Sequence, residues 1–253
     1  MENKNQGLFE YCLWLGDNNL ILGHRLSEWC GHGPILEEDI ALINIALDLI
    51  GQSRTILTYA GELENKGRSE DDLAYLRDCR EFKNAMLLEQ PNGDFAKTIV
   101  RQFFFDAFHY HLYTQLVKSK DEKLASIAEK SLKEITYHVR HSSEWVKRLG
   151  DGTTESHQRM QDAVDALWMY TDDLFIAADS EEMLVKEGFV PELSVIKAPW
   201  IKQVSDVIKE ATLILPENTF MQKGSKTGKH TEHLGYLLAE MQFLQRAYPG
   251  ASW

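Results

Sequence analysis

The sequence predicts an all-α protein, and three observations carry that expectation. Six prolines in 253 residues leave long uninterrupted stretches. Apolar residues in those stretches recur at helical spacing, with no alternating strand pattern and no close internal repeat. Glycine, proline and polar clusters fall between the stretches, where helices stop.

The first helix is expected over 8–30, ended by GHGP at 31–34, where two glycines and a proline stop it. The second, 36–61, opens on Glu37, Glu38 and Asp39, which suit the positive end of a helix. Its interior, IALINIALDLI, is apolar nearly all round and predicts a helix buried on several sides. The polar ENKGRSEDD precedes a short helix near 70–89 and the turn EQPNGD. Long helices follow at 94–118, containing FFFDAFHYHLY, and at 121–149, with Gly150 placed to cap its end. A fifth covers 155–179, weaker ones 181–187 and 192–213, and a last one 231–247, capped by Thr231. The whole chain, 1–253, is expected to be one domain: a helical bundle with additional C-terminal helices.

A net charge of −12 argues against general nucleic-acid binding, which needs a basic surface. Three cysteines, Cys12, Cys30 and Cys79, share no CxxC spacing and offer neither a disulfide framework nor a thiolate zinc site. The polar start MENKNQG resembles no signal peptide, and no apolar run looks long enough to cross a bilayer. The expected location is the cytoplasm.

KEITYHVRH, residues 133–141, raises the question of metal chemistry. Ferritin-like di-iron bundles take one Glu from each of two helices and Glu-x-x-His from each of two others. The i, i+3 spacing puts acid and imidazole on one helix face. Fragments of that pattern are present. Asp106 and His109 lie on the third long helix, Glu134, Tyr137 and His138 on the fourth, and Asp48 on the second with Gly51 at i+3. On the first helix only His24 and Glu28 could contribute. The defects are specific: Gly51 has no side chain, Tyr137 stands where a histidine belongs, and Asp48 and Asp106 are one methylene short. A hydrogen-bonded polar network in a bundle core accounts for the same residues. The alternative is an autonomous di-iron protein using Asp106, His109, Glu134 and His138.

LGDNNLILGHRLSEWCGHGPILEEDIALINIALDLIGQSR closely resembles the start of the C-subunit family of bacterial phenylacetyl-CoA epoxidases. The likeness continues through LLEQPNGDFAKTIVRQFFFDAFH, KEITYHVRHSSEWVKRLGDGT and KTGKHTEHLGYLLAEMQFLQR, and ends in the tail YPGASW. The resemblance implies a ferritin-like fold and a place in an oxygenase complex that turns phenylacetyl-CoA into its ring 1,2-epoxide. It implies a di-iron catalytic A subunit, to which this chain would be the structural partner, with no catalytic residue and no metal of its own. It also implies a B subunit and a flavin and iron–sulfur reductase fed by NADPH.

RDCREFKN, 77–84, gathers Arg77, Arg80 and Lys83. On a helix Arg77, Arg80 and Asn84 would share a face able to meet a phosphate, although Asp78 and Glu81 offer them solvent-side partners. The resemblance adds an expected coenzyme A contact around Glu81, Phe82, Lys83 and Asn84. Gly224–Lys229 is one residue short of a P-loop and follows no strand. His230, Glu232 and His233 lack a third zinc ligand of matching kind. Lys223, Lys226 and Lys229 are left to meet an acidic partner or the coenzyme phosphates. Trp14, Trp29, Trp145 and Trp168 are expected in the core or at a subunit interface.

Overall fold

The computed structural model describes residues 2–251; Met1 and the Ser252 and Trp253 of the tail lie outside the described residues. The fold is all-α and ferritin-like, 73% helical with no strand among the described residues. Eleven α-helices occur in it: α1 (Glu2–Ser27), α2 (Leu36–Glu64), α3 (Glu70–Tyr75), α4 (Met86–Glu89), α5 (Phe95–Leu116), α6 (Glu122–Gly150), α7 (Thr154–Trp168), α8 (Glu181–Glu187), α9 (Leu193–Glu210), α10 (Glu232–Met241) and α11 (Phe243–Ala247). The backbone groups into two compact units, Met1–Pro91 with Ala178–Leu184 and Gly224–Trp253, and Asn92–Ala177 with Val185–Lys223.

The first unit is built on an antiparallel pair, α1 against α2. Two glycines let the helices close up: a Cβ on Gly16 would sit 2.7 Å from Leu57 Cδ2, and one on Gly23 would sit 2.9 Å from Ile50 Cγ1. Ser53 Oγ donates to the Gly16 carbonyl at 2.9 Å and Asn19 donates to Gln52 at 3.3 Å, so the polar groups in this seam pair across it. Leu42, Ile45, Leu49, Ile56 and Leu57 bury one side of α2. The opposite side exposes Leu36, Ile40 and Leu47, at 72%, 51% and 60%, with Gly51 in line and open space above it. The expectation of burial on several sides is therefore corrected. Apolar periodicity does not distinguish core from an exposed contact face. α2 also has the length and hydropathy of a membrane span, although its buried side packs in this unit.

The expected helix near 70–89 is broken into α3, a short 3-10 turn at 79–81, and α4. Two capping boxes restart the chain. Ser69 accepts from the Asp72 N–H while the Asp72 carboxylate accepts from Ser69 N, and Glu81 accepts from Asp78 N at 2.7 Å.

The second unit packs α5 against α6, α7 and α9. Asp94, Asp121 and Thr153 cap α5, α6 and α7, accepting from Lys97, Leu124 and Ser156 N–H groups. An aromatic core joins them: Trp168 stacks on Trp200 at 5.8 Å between centroids, and Trp200 Nε1 donates to the Phe104 carbonyl at 2.9 Å. Gly150 closes α6 for a different reason from the one expected. It has no positive φ; a Cβ there would lie 2.5 Å from the Ala211 carbonyl, so close approach requires the glycine.

Candidate functional site

The α6 face that packs inward carries Leu124, Ile127, Ala128, Ser131, Ile135, His138, Ser142 and Val146. This places His138 in the core and Glu134 at its margin, half-buried. Tyr137 is 49% exposed and does not occupy an inward ligand position, which corrects the i+3 register read from the sequence. The helix turns about 100° per residue, so the buried row runs through 135, 138 and 142 rather than 134 and 137. From α5, Asp106 and His109 are both buried.

The Asp106 carboxylate has one hydrogen-bond contact at each oxygen within the unit. Gln102 Nε2 donates to Oδ1 at 2.7 Å, and Ser142 Oγ lies 2.7 Å from Oδ2. The same Ser142 hydroxyl is 3.0 Å from the His138 carbonyl, and its one proton serves one acceptor at a time. Burial pushes the Asp106 carboxyl up to about 6, with His138, Ser142 and Gln102 holding it back in part. His109 is driven well below the usual histidine range by burial and then by His138. Its ring sits edge-on to Tyr113 at 4.3 Å and against Phe105 at 4.9 Å, and its Nδ1 has no hydrogen-bond partner among the described residues.

In the first unit Asp48 is half-buried on α2 and Gly51 faces open space. His24 is shifted down by burial, and Glu28 is exposed, paired with Arg25 at 2.7 Å. Among the described residues, no three histidine, cysteine, aspartate or glutamate side chains converge as a metal site. The one buried carboxylate on α5 is hydrogen-bonded to an amide and a hydroxyl.

The basic segment also differs from its expectation. Arg77 is buried and forms an ion pair with Asp17 of α1, with its guanidinium 4.3 Å over the Phe82 ring. It shares no helix face with Arg80 and Asn84 and is closed to an outside phosphate. Phe82 and Asn84 are fully buried, while Glu81 is exposed and Lys83 half-buried. Lys226 of the glycine- and lysine-rich loop is buried as well, ion-paired with Glu181 and 3.7 Å over the Trp14 ring, so this lysine is not a phosphate contact. Thr231 begins α10 without a side-chain cap; its hydroxyl donates instead to Glu89 at 2.7 Å.

The model of the phenylacetic acid catabolic protein family matches residues 1–253. The chain belongs to this family. It is 51% identical over 246 residues to the C subunit of the 1,2-phenylacetyl-CoA epoxidase of Escherichia coli (strain K12), covering 97% of this chain and 99% of that protein.

Within this member of the family, several residues central to the buried networks are not singled out by the di-iron pattern. Gln102 and Ser142 stand one helical turn from Asp106 and His138, at i−4 and i+4, and that spacing is a usable signal. Asp17, Glu89 and Glu181 carry none, since their partners Arg77, His230 and Lys226 lie 60, 141 and 45 residues away.

Proposed function

We propose that the chain is the non-catalytic structural subunit of a phenylacetyl-CoA ring 1,2-epoxidase in phenylacetate catabolism. In this reading it acts in the cytoplasm as one ferritin-like domain, pairing with and stabilising a di-iron catalytic A subunit beside a B subunit. Electrons reach the A subunit from NADPH through a flavin and iron–sulfur reductase. Similarity along nearly the whole chain to the C subunit of an epoxidase supports membership of such a complex. The observation that carries the non-catalytic role is the Asp106 cluster, whose carboxylate is engaged by Gln102 and Ser142. Pairing is assigned to the exposed row of α2, Leu36, Ile40 and Leu47, an apolar helix face of the kind that a partner covers. Contact with the coenzyme is assigned to Glu81 and Lys83, with buried Phe82 and Asn84 fixing the backbone beside them.

The test is turnover of phenylacetyl-CoA by A and B subunits, reductase and NADPH, with and without this chain. Activity should require the chain, and Leu47→Glu should abolish both pairing and activity while leaving the melting temperature of the isolated chain unchanged. Full activity from A and B alone removes the structural role. Stoichiometric iron on the isolated chain after anaerobic Fe(II) loading would favour an autonomous di-iron protein instead.

A further inference from the structure

The loop at 224–231 is held at both ends by buried charge. At one end Lys226 is locked between Glu181 and the Trp14 ring. At the other, His230 Nδ1 meets Glu89 Oε1 and His230 Nε2 lies 2.9 Å from the Phe82 carbonyl. Asn84 Nδ2 donates to Glu89 Oε1 at 3.1 Å, and Thr231 donates to Oε2 from its N–H at 2.8 Å and its hydroxyl at 2.7 Å. Glu89 accepts these three hydrogen bonds besides its contact with the ring. The protonated ring can donate from both nitrogens, to Glu89 and to the Phe82 carbonyl, and the Glu89 contact and charge favour that form.

We propose that the imidazolium of His230 is a proton-dependent clasp that ties the 224–231 loop to the 79–89 segment. When it loses its proton, one of its two bonds is lost and both segments loosen. The two segments touch elsewhere too. Lys83 Nζ donates to the Lys226 carbonyl at 3.0 Å, and Gly228, at φ +79°, lies so close to the Arg80 carbonyl that no side chain fits. Of the two buried anchors, the histidine is the side chain whose ordinary pKa lies near neutral pH.

The charged groups around the clasp act in known directions. Burial alone would lower the His230 pKa, but the Glu89 hydrogen bond and charge, the Phe82 carbonyl and Asp17 together raise it. Asp17 is held by Arg77 and by the Lys83 N–H at 2.8 Å. Arg25 of α1 donates to the Glu89 and His233 carbonyls and pairs with Glu28. The Cys79 thiol is pushed up by burial and then by Glu89. A histidine raised in the folded state gives its full stabilisation below its ordinary value of 6.5 and loses it as pH rises through the folded value. The clasp is closed in mild acid and opens on the alkaline side. This inference stands whether or not Glu81 and Lys83 meet a coenzyme.

The experiment uses the full-length chain labelled with 15N. Histidine side-chain spectra between pH 5.5 and 9, with His230 assigned through its own backbone, should show both ring nitrogens protonated at pH 6.5 and a midpoint above that. Amide protection factors, corrected for intrinsic exchange, should fall in both 79–89 and 224–231 as the ring titrates. His230→Gln should give low protection in both segments at every pH. A neutral His230 ring at pH 6.5 overturns the proposal, and so does an unchanged pH dependence in the variant. If the variant does not fold, the titration of the native ring still decides.

Discussion

Asp106→Asn should stabilise the chain strongly in alkali and much less in acid. Asparagine keeps the shape of the side chain. Its oxygen can accept from Gln102, and its amide can donate to Ser142, whose own proton then turns to the His138 carbonyl. What it removes is the ionisation of a fully buried acid, which ordinarily titrates at 3.8 and here at about 6. For an acid raised on folding, the unfolded chain gives up its proton first, so stability falls as pH climbs from about 4 through 6. At about 1.4 kcal/mol per pH unit, the native residue costs about 3 kcal/mol at pH 8 and about 1 kcal/mol at pH 4.5. Urea unfolding of both proteins at the two pH values measures the difference. The variant should gain about 2 kcal/mol on the native chain between pH 4.5 and 8. A stability difference that does not change with pH would refute the reasoning, because it would mean that Asp106 is as easily ionised folded as unfolded.

Other substitutions probe packing and pairing. Gly51→Ala faces open space and should raise stability by about 0.5–1 kcal/mol through helix propensity, read in a thermal melt. Gly150→Ala forces a methyl group against the Ala211 carbonyl and should cost roughly 1–3 kcal/mol in the same assay. Arg77→Ala leaves Asp17 buried without its ion-pair partner and should cost about 3–5 kcal/mol, whereas Arg80→Glu should leave the chain folded with little change. Equal effects of the two arginine changes in a urea titration would contradict the buried pair.

The long helices are legible in the sequence because their periodicity and stops are local. GHGP, EQPNGD and LGDG mark the ends of α1, the start of α5 and the end of α6 to within a few residues. The segment at 77–84 reads as helical by its charge spacing, yet the signal that restarts the chain there, Asp78-x-x-Glu81, is also written in it, as Ser69-x-x-Asp72 is written ahead of α3. The acid and histidine positions of α5 are buried as the pattern implies, but on α6 the register differs by one residue, Ile135–His138 in place of Glu134–Tyr137. A helix turns about 100° per residue, and one position is enough to turn a side chain outward. The ion pairs Asp17–Arg77, Glu89–His230 and Glu181–Lys226 join residues far apart in sequence, and no local pattern encodes them.

The two glycines of the α1–α2 seam have a mechanical meaning. Leu57 seats at Gly16 and Ile50 at Gly23, seven residues apart on each helix. Sliding α2 along α1 by one turn, about 5.4 Å, would drive both side chains onto residues that have a Cβ. The pair therefore has a single register with no neighbouring notch to slip into. A push on one helix would then meet resistance at both seats before the two could shear past each other.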